Sequence, residues 1–340
     1  MLLWPLDFSG YWVHRISHEY NFFWNNHIIH HSSEEFNLAC ALRQSISGFV
    51  RIFVIFLLPA ALLGVPEKVI AVVAPLHLFA QFWYHTQHIQ TMGFLERIIV
   101  TPSHHRVHHA INKEYLDKNY GQIFIWWDKW FGTYQPELKD VKPVYGITRP
   151  AQTWNPVKIN FQHMWLLIQD AWRTKSWKDK FRIWLMPTGW RPDDVAEKYP
   201  VYKIDDVYHF EKYNPANSTL LMCWNWIQLV ILLLFISYLF GHLSAIGSPG
   251  IFVYGAFVFL QVYAFTDLAD RNTSAIIWEM IKNAFAIGII FTQKDWFGAS
   301  QHFPYITQLL TCYFILSTFI TAWFVIKHHK EDTRPQAKPI

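Results

Sequence analysis

Six apolar runs alternate with polar stretches along the chain, and their lengths predict how it meets a membrane. A helix needs about 20 apolar residues to cross the hydrocarbon core. The first and last of the later four runs are long enough to span, whereas the middle two are shorter. The first two runs are each marginal, and together they predict a membrane hairpin at about residues 46–83. The runs cover residues 46–64, 69–83, 220–240, 251–265, 275–291 and 305–326.

The pattern predicts an all-α, multi-span membrane protein. A polar, aromatic and proline-rich region lies between the two sets of runs. Within it, residues 160–184 predict an amphipathic helix, which lies at the membrane interface or packs against its own domain. We expect a catalytic core with the hairpin at 1–135, a cytosolic or interfacial region at 136–216, transmembrane helices at 217–327 and a basic tail at 328–340. By the positive-inside tendency, that tail places the C-terminus in the cytoplasm.

Composition agrees with a membrane location. Hydrophobic residues make up 52% of the chain and charged residues 16%, against about 25% charged in soluble domains. The formal charge of +4 is spread along the chain, so nucleic acid is not an expected partner. The three cysteines are far apart. They predict neither a disulfide framework nor a thiolate metal site.

The histidines are concentrated in the first third of the chain. Twelve of the eighteen lie between His14 and His109, and they include one H-x3-H and two H-x2-H-H patterns. On a helix, such spacing brings the imidazoles of one set to one face, near enough to converge on one cation. Stacked imidazoles repel when protonated and gain little when neutral unless a cation binds them. Eight to ten histidines exceed what one ion takes, so two ions are predicted.

Ligand type alone does not identify the metal, since imidazole binds zinc, copper, iron and nickel. Hydrolytic zinc sites more commonly use three protein ligands and a water, and an H-E-x-x-H motif is absent from the sequence. A dinuclear site beside an apolar slot at a membrane surface favours activation of dioxygen by iron.

The histidine motifs, in their sequence context, resemble those of a known enzyme family. DFSGYWVHRISHE, NHIIHHSSEEFNLACALRQS, FWYHTQHI, TPSHHRVHHAINKEYLDKNYG and IWWDKWFGTYQPE are similar to the motifs of the fatty acid hydroxylase and sterol desaturase superfamily of membrane di-iron enzymes. The resemblance is densest over residues 7–134. Relatives carry membrane helices before the first motif, whereas thirteen residues precede His14 here, so we expect a misassigned or shortened start.

The resemblance implies roles for particular residues. Glu19 corresponds to the acid after the first motif and is the expected catalytic acid, unless it pairs with an arginine. Glu19, Glu34 and Glu35 are all expected to bridge the metals or to orient imidazoles, or else to form salt bridges with nearby arginines. His104 is a ligand, a partner of a ligand or a neighbour of a helix cap, and His88 is less certain. The implied metal ligands are His14, His18, His27, His30, His31, His85, His104, His105, His108 and His109.

The resemblance also implies the reaction. We expect a membrane-bound monooxygenase that uses two iron ions, O2 and a reductant to hydroxylate a lipid C–H bond. Within the superfamily, the chain most resembles the branch that cleaves alkylglycerol ether lipids to an aldehyde and a glycerol derivative with tetrahydrobiopterin. The active site is expected on the cytoplasmic face, at the endoplasmic reticulum in a eukaryote or the inner membrane in a bacterium.

Two alternatives remain open at the level of the sequence. One is a sterol or fatty acyl hydroxylase or desaturase that takes electrons from a separate protein, since no fused haem-binding HPGG motif occurs. The other is a metal-binding membrane protein without catalysis. Intramembrane acids lining a path would favour transport, but Glu279 and Lys282 are the only charged pair in the later runs.

Overall fold

The computed structural model describes residues 3–46, 62 and 64–332. These residues form helices and turns without a strand, which confirms the predicted all-α class. The first arm of the predicted hairpin lies almost wholly outside them. The α-helices are α1 (Leu3–Glu19), α2 (Asn21–Trp24), α3 (Ile28–His31), α4 (Leu38–Ala41), α5 (Glu67–Phe79), α6 (Pro102–His109), α7 (Trp126–Phe131), α8 (Pro156–Arg173), α9 (Trp177–Arg182), α10 (Asp193–Lys198), α11 (Thr219–Gly241), α12 (Leu243–Ile246), α13 (Gly250–Ala269), α14 (Ala275–Gln293) and α15 (Ile306–Asp332).

The chain divides into two compact units, residues 1–152 with 158–213 and residues 153–157 with 214–340. In the second unit, α11, α13, α14 and α15 are long and apolar enough to cross a membrane. They confirm the predicted multi-span class. The helices α13 and α14 have 20 and 19 residues, so they are longer than their apolar runs indicated.

The second unit combines an aromatic core with a buried ion pair. Phe235, Phe257 and Trp296 pack with other rings between the helices. Lys282 Nζ lies 2.8 Å from Glu279 Oε1, and both side chains are buried. A charged pair is tolerated inside a membrane bundle when its members neutralise each other away from lipid. The pair therefore has a structural explanation.

In the first unit, two buried carboxylates hold the segment between α6 and α7. Asp7 on α1 accepts hydrogen bonds from the backbone amides of Ile123 and Phe124, at 2.9 and 3.1 Å, and from the Trp127 indole at 2.8 Å. Asp128 accepts from the backbone amides of Tyr120 and Gly121, at 2.7 and 2.8 Å. The tie at Asp7 fixes α1, which carries the first histidine motif, against residues 123–127.

The predicted helix over residues 160–184 is two helices. The first ends at Arg173, and Ser176 begins the second by accepting a hydrogen bond from the Asp179 amide at 3.2 Å. Thr174 and the Lys175 amide instead bond Asp194 at the start of α10. Side-chain capping of this kind competes with helix continuation, so the pattern of apolar residues overstated the length.

Candidate metal centre

The structure brings nine of the predicted histidines into two groups. Within each group one possible ligand atom per residue lies within 4.8 Å of those of all the others. The groups are in contact, since the rings of His31 and His109 stack with centroids 4.2 Å apart. The first group, called group A, is His14, His18, His27, His31 and His108; the second, group B, is His30, His85, His105 and His109.

Each H-x2-H-H motif contributes to both groups. In the second motif His27 and His31 belong to group A and His30 to group B; in the third, His105 and His109 belong to group B and His108 to group A. Successive helical residues are rotated by about 100°, so adjacent histidines point in different directions. For the two triplets, the expectation that all three imidazoles converge on one cation was wrong, because only the i, i+4 members share a group. His14 and His18 of the H-x3-H motif do share group A.

Backbone carbonyls orient several of the rings. The Nδ1 atoms of His14 and His108 lie 2.8 and 3.0 Å from the carbonyl oxygens of Tyr120 and Lys118. In group B, Nδ1 of His85 lies 3.0 Å from the Gln81 carbonyl. A histidine held through Nδ1–H is fixed in the tautomer that offers Nε2 to a metal. Carbonyls therefore take the orienting role for which Glu19, Glu34 and Glu35 were considered.

The Nε2 atoms of the grouped rings suit metal binding for two reasons: they lie close together, and several of them have no other described hydrogen-bond partner. Nε2 of His105 lies 2.8 Å from that of His85 and 3.0 Å from that of His109. Two ligands at right angles on one ion, with bonds of about 2.1 Å, are about 3.0 Å apart. Among the described atoms, the buried Nε2 of His18, His31 and His108 have no hydrogen-bond partner. Buried polar atoms are rarely left so. All three belong to group A, and a cation bound there accounts for them.

His104 lies outside both groups. Its Nδ1 is 3.3 Å from the Thr101 amide at the start of α6. The ring thus occupies the helix-cap position that was one of the three expectations for it.

The acids near the motifs also have partners away from the groups. Glu19 forms a salt bridge with Arg15 at 2.7 Å. Glu34 accepts a hydrogen bond from the Tyr213 amide, and Glu35 pairs with Lys212. The structure therefore brings no acid to either group among the described residues.

Burial keeps the grouped imidazoles neutral. Desolvation, with the repulsion of neighbouring rings, lowers the pKa of His14 to about 4 and that of His30 to about 3. The pKa of His85 is lowered to about 4, again mainly by burial. The other six are lowered for the same reason. Neutral imidazole is the form that binds a metal, so the site is ready for cations at neutral pH.

These pKa values predict acid sensitivity of the metal-free protein. Below pH about 6.5 the histidines of the unfolded chain bind protons, whereas the grouped histidines of the folded protein stay neutral. The free energy of unfolding therefore decreases as the pH falls from there towards 4. Each excess proton costs about 1.4 kcal/mol per pH unit. Thermal unfolding of metal-free protein at pH 7.5 and 5.5 measures this loss. His30→Gln should make the pH slope shallower, whereas a change at the exposed His209 should not; equal slopes would contradict the assignment.

A cavity of about 230 Å³ opens beside group A. His18, His31 and His108 of group A line it with His109 of group B, and Trp24, Ile28 and Leu166 are among its apolar residues. Polar residues between positions 146 and 203 complete it. No site residue was predicted beyond His109, and spacing offered no signal for these residues.

Comparison with known proteins gives consistent results. A family model described as fatty acid hydroxylase matches residues 1–133. Proteins named alkylglycerol monooxygenase match most of the chain: that of Homo sapiens is 33% identical over 332 residues, or 96% of this chain and 71% of that protein. Those of Xenopus tropicalis and Danio rerio are 34% and 35% identical, over 85% and 82% of this chain and only 63% and 61% of their own lengths. No solved structure matches significantly.

Helical membrane spans together with two buried polyhistidine groups define a class, the histidine-motif membrane oxidoreductases. The chain belongs to the fatty acid hydroxylase family. The resemblance stated from its motifs is thereby confirmed, and with it an integral membrane enzyme of the lipid hydroxylase and monooxygenase type.

Proposed function

We propose that groups A and B each hold one iron ion and that the protein oxygenates an ether lipid. The observation that carries the proposal is the pair of adjoining, largely buried and neutral imidazole groups. In group A, three Nε2 atoms lack any described hydrogen-bond partner. Iron bound there would supply the O2 activation that an unactivated C–H bond requires. Nitrogen donors are compatible with iron. Membership of a family known for a di-iron centre favours iron over zinc.

The residues of the chain position and shield the reaction. Backbone carbonyls hold Nδ1 of rings such as His14 and His108, which leaves their Nε2 atoms to bind the metal. The apolar side chains of Trp24, Ile28 and Leu166 line the cavity beside group A. An apolar lining excludes water and so limits side reactions with it. A lipid carbon placed in this cavity lies next to group A.

Alkylglycerols are the substrates that we propose, with tetrahydrobiopterin as the reductant. The similar proteins named alkylglycerol monooxygenase support the substrate, and the resemblance of the motifs supports the pterin. O2, two electrons and two protons give one water and a hydroxyl on the carbon next to the ether oxygen. The resulting hemiacetal breaks its C–O bond to give a fatty aldehyde and glycerol. We further propose that the site faces the cytoplasm.

Purified protein loaded with iron should convert an alkylglycerol to aldehyde when both O2 and tetrahydrobiopterin are present. Omission of either should stop turnover, because the hydroxylation consumes both. Aldehyde is measured by derivatisation and mass spectrometry, and His27→Ala serves as the inactive control. Turnover of a sterol or fatty acid without aldehyde from any alkylglycerol would transfer the proposal to the hydroxylase or desaturase alternative.

A further inference from the structure

The cavity beside group A contains a cation that has no direct anionic partner among the described residues. Arg149 lines the cavity, and among the described residues its guanidinium has no hydrogen bond or salt bridge. The side chain is only partly exposed, and its Nη1 is buried. A buried arginine nitrogen without an acceptor is costly. A bound anion that accepts hydrogen bonds from Arg149 would remove this cost.

A second arginine that lines the same cavity, Arg191, does have hydrogen-bond acceptors. Arg191 binds Asp170 through two hydrogen bonds of 2.6 and 2.9 Å and donates to the Tyr199 carbonyl at 2.8 Å. Arg191 therefore has a direct counterion, whereas Arg149 has no salt bridge among the described residues. Burial and the nearby charge of Arg191 lower the pKa of Arg149 from its usual value, and the Asp170 carboxylate, which is bonded to Arg191, offsets them only in part.

Other polar groups in the cavity point to the same kind of ligand. The amide Nε2 of Gln162 is buried and lacks a described partner. Lys203 adds an exposed ammonium group, and Asp117 is the one carboxylate among the described lining residues. Arginine, lysine and amide donors together bind phosphate or carboxylate oxygens. The apolar residues of the same cavity suit an adjoining alkyl chain.

We infer that this cavity binds an anionic oxygen group, a phosphate or carboxylate, with Arg149 as its main contact. The inference rests on the proposed function and deepens it: an anion held here fixes one end of a ligand beside group A. The group comes from either of two sources, the headgroup of an anionic ether lipid or a free soluble anion. In the first case Arg149 is a specificity-determining residue that favours phosphorylated over neutral alkylglycerols.

Binding to the detergent-solubilised, iron-loaded full chain separates these sources. The probes are an alkylglycerol 3-phosphate, the same alkylglycerol without phosphate, and inorganic phosphate, each titrated by thermal stabilisation. Wild type should bind the phosphorylated lipid at least about tenfold more tightly than the neutral one, since a charge-assisted hydrogen bond is worth that much. Stabilisation by inorganic phosphate alone, without preference between the lipids, assigns the cavity to a soluble anion.

Arg149→Gln should remove the preference for the anionic probe and leave binding of the neutral alkylglycerol within about threefold. Lys203→Gln, at an exposed position that does not endanger folding, should weaken anion binding by about threefold. Arg97→Gln is the matched control, because Arg97 is exposed and outside the cavity. Iron content and unfolding temperature confirm that each variant is intact. If both cavity variants bind all probes as wild type does, the inference is wrong; absence of aldehyde with normal anion binding would instead overturn only the proposed reaction.

Discussion

Replacement of His108 by alanine is expected to remove the ion of group A, to leave that of group B, and so to halve the iron content. Its Nε2 has no other described partner, and its Nδ1 is held by the Lys118 carbonyl, so metal binding is the role left to the ring. His109→Ala should give the complementary loss from group B. Turnover should fall by more than the roughly 10–100-fold that follows loss of groups that merely orient ligands.

Elemental analysis with protein quantification measures the iron, and Mössbauer spectroscopy identifies which environment remains. His209→Ala is the matched control, because His209 is exposed and pairs with Asp206 at the surface. His104→Gln should also retain its iron, since that ring contacts the Thr101 amide rather than either group. Full iron in both the His108 and His109 variants would show that the groups do not bind the metal.

The apolar runs predicted where the spanning helices lie but not where they end. The helix α13 continues four residues past its apolar run, through Thr266 to Ala269. The Thr266 hydroxyl donates a hydrogen bond to the Val262 carbonyl at 2.6 Å. The Asp267 carboxylate accepts hydrogen bonds from Asn272 and Ser274, which lie beyond the helix end. A hydropathy pattern registers these residues as polar. It does not register that local hydrogen bonds satisfy them.

The histidine motifs predicted almost the whole set of grouped residues but not their division. Spacing identifies which imidazoles are near one another on a helix, and the i, i+4 pairs His27 with His31 and His105 with His109 do remain together. The partners from other helices depend on how α1, α3 and α6 pack. That information is not local in sequence, so the split of each motif between two groups emerges only in the folded unit.

Acid residues beside a motif were the weakest sequence signal. Glu19 follows His18 directly, yet Arg15, one helical turn earlier, pairs with it. A close i, i+4 pair is itself a common stabilising device on helices. Asp7, by contrast, lies seven residues before His14 and was given no role. Its importance depends on residues more than 110 positions away.

Asp7→Ala is expected to destabilise the first unit by about 3–5 kcal/mol, among the largest effects of any single change outside the metal groups. Asp7 is fully buried, and its carboxylate accepts from two backbone amides, the Trp127 indole and His77 Nε2, the last at 2.9 Å. Alanine leaves these buried donors unsatisfied. In a unit of this size, the unfolding temperature should drop by roughly 10 °C.

The same change should also weaken the metal site, because α1 carries both Asp7 and the group A ligands His14 and His18. Differential scanning fluorimetry and iron analysis on one preparation separate the two effects: His14→Ala should lose iron with less destabilisation of the metal-free protein than Asp7→Ala causes. Asp205→Ala, at an exposed acid, should change neither. An Asp7→Ala protein with wild-type unfolding temperature and full iron would mean that the four hydrogen bonds to this carboxylate do not hold α1 in place.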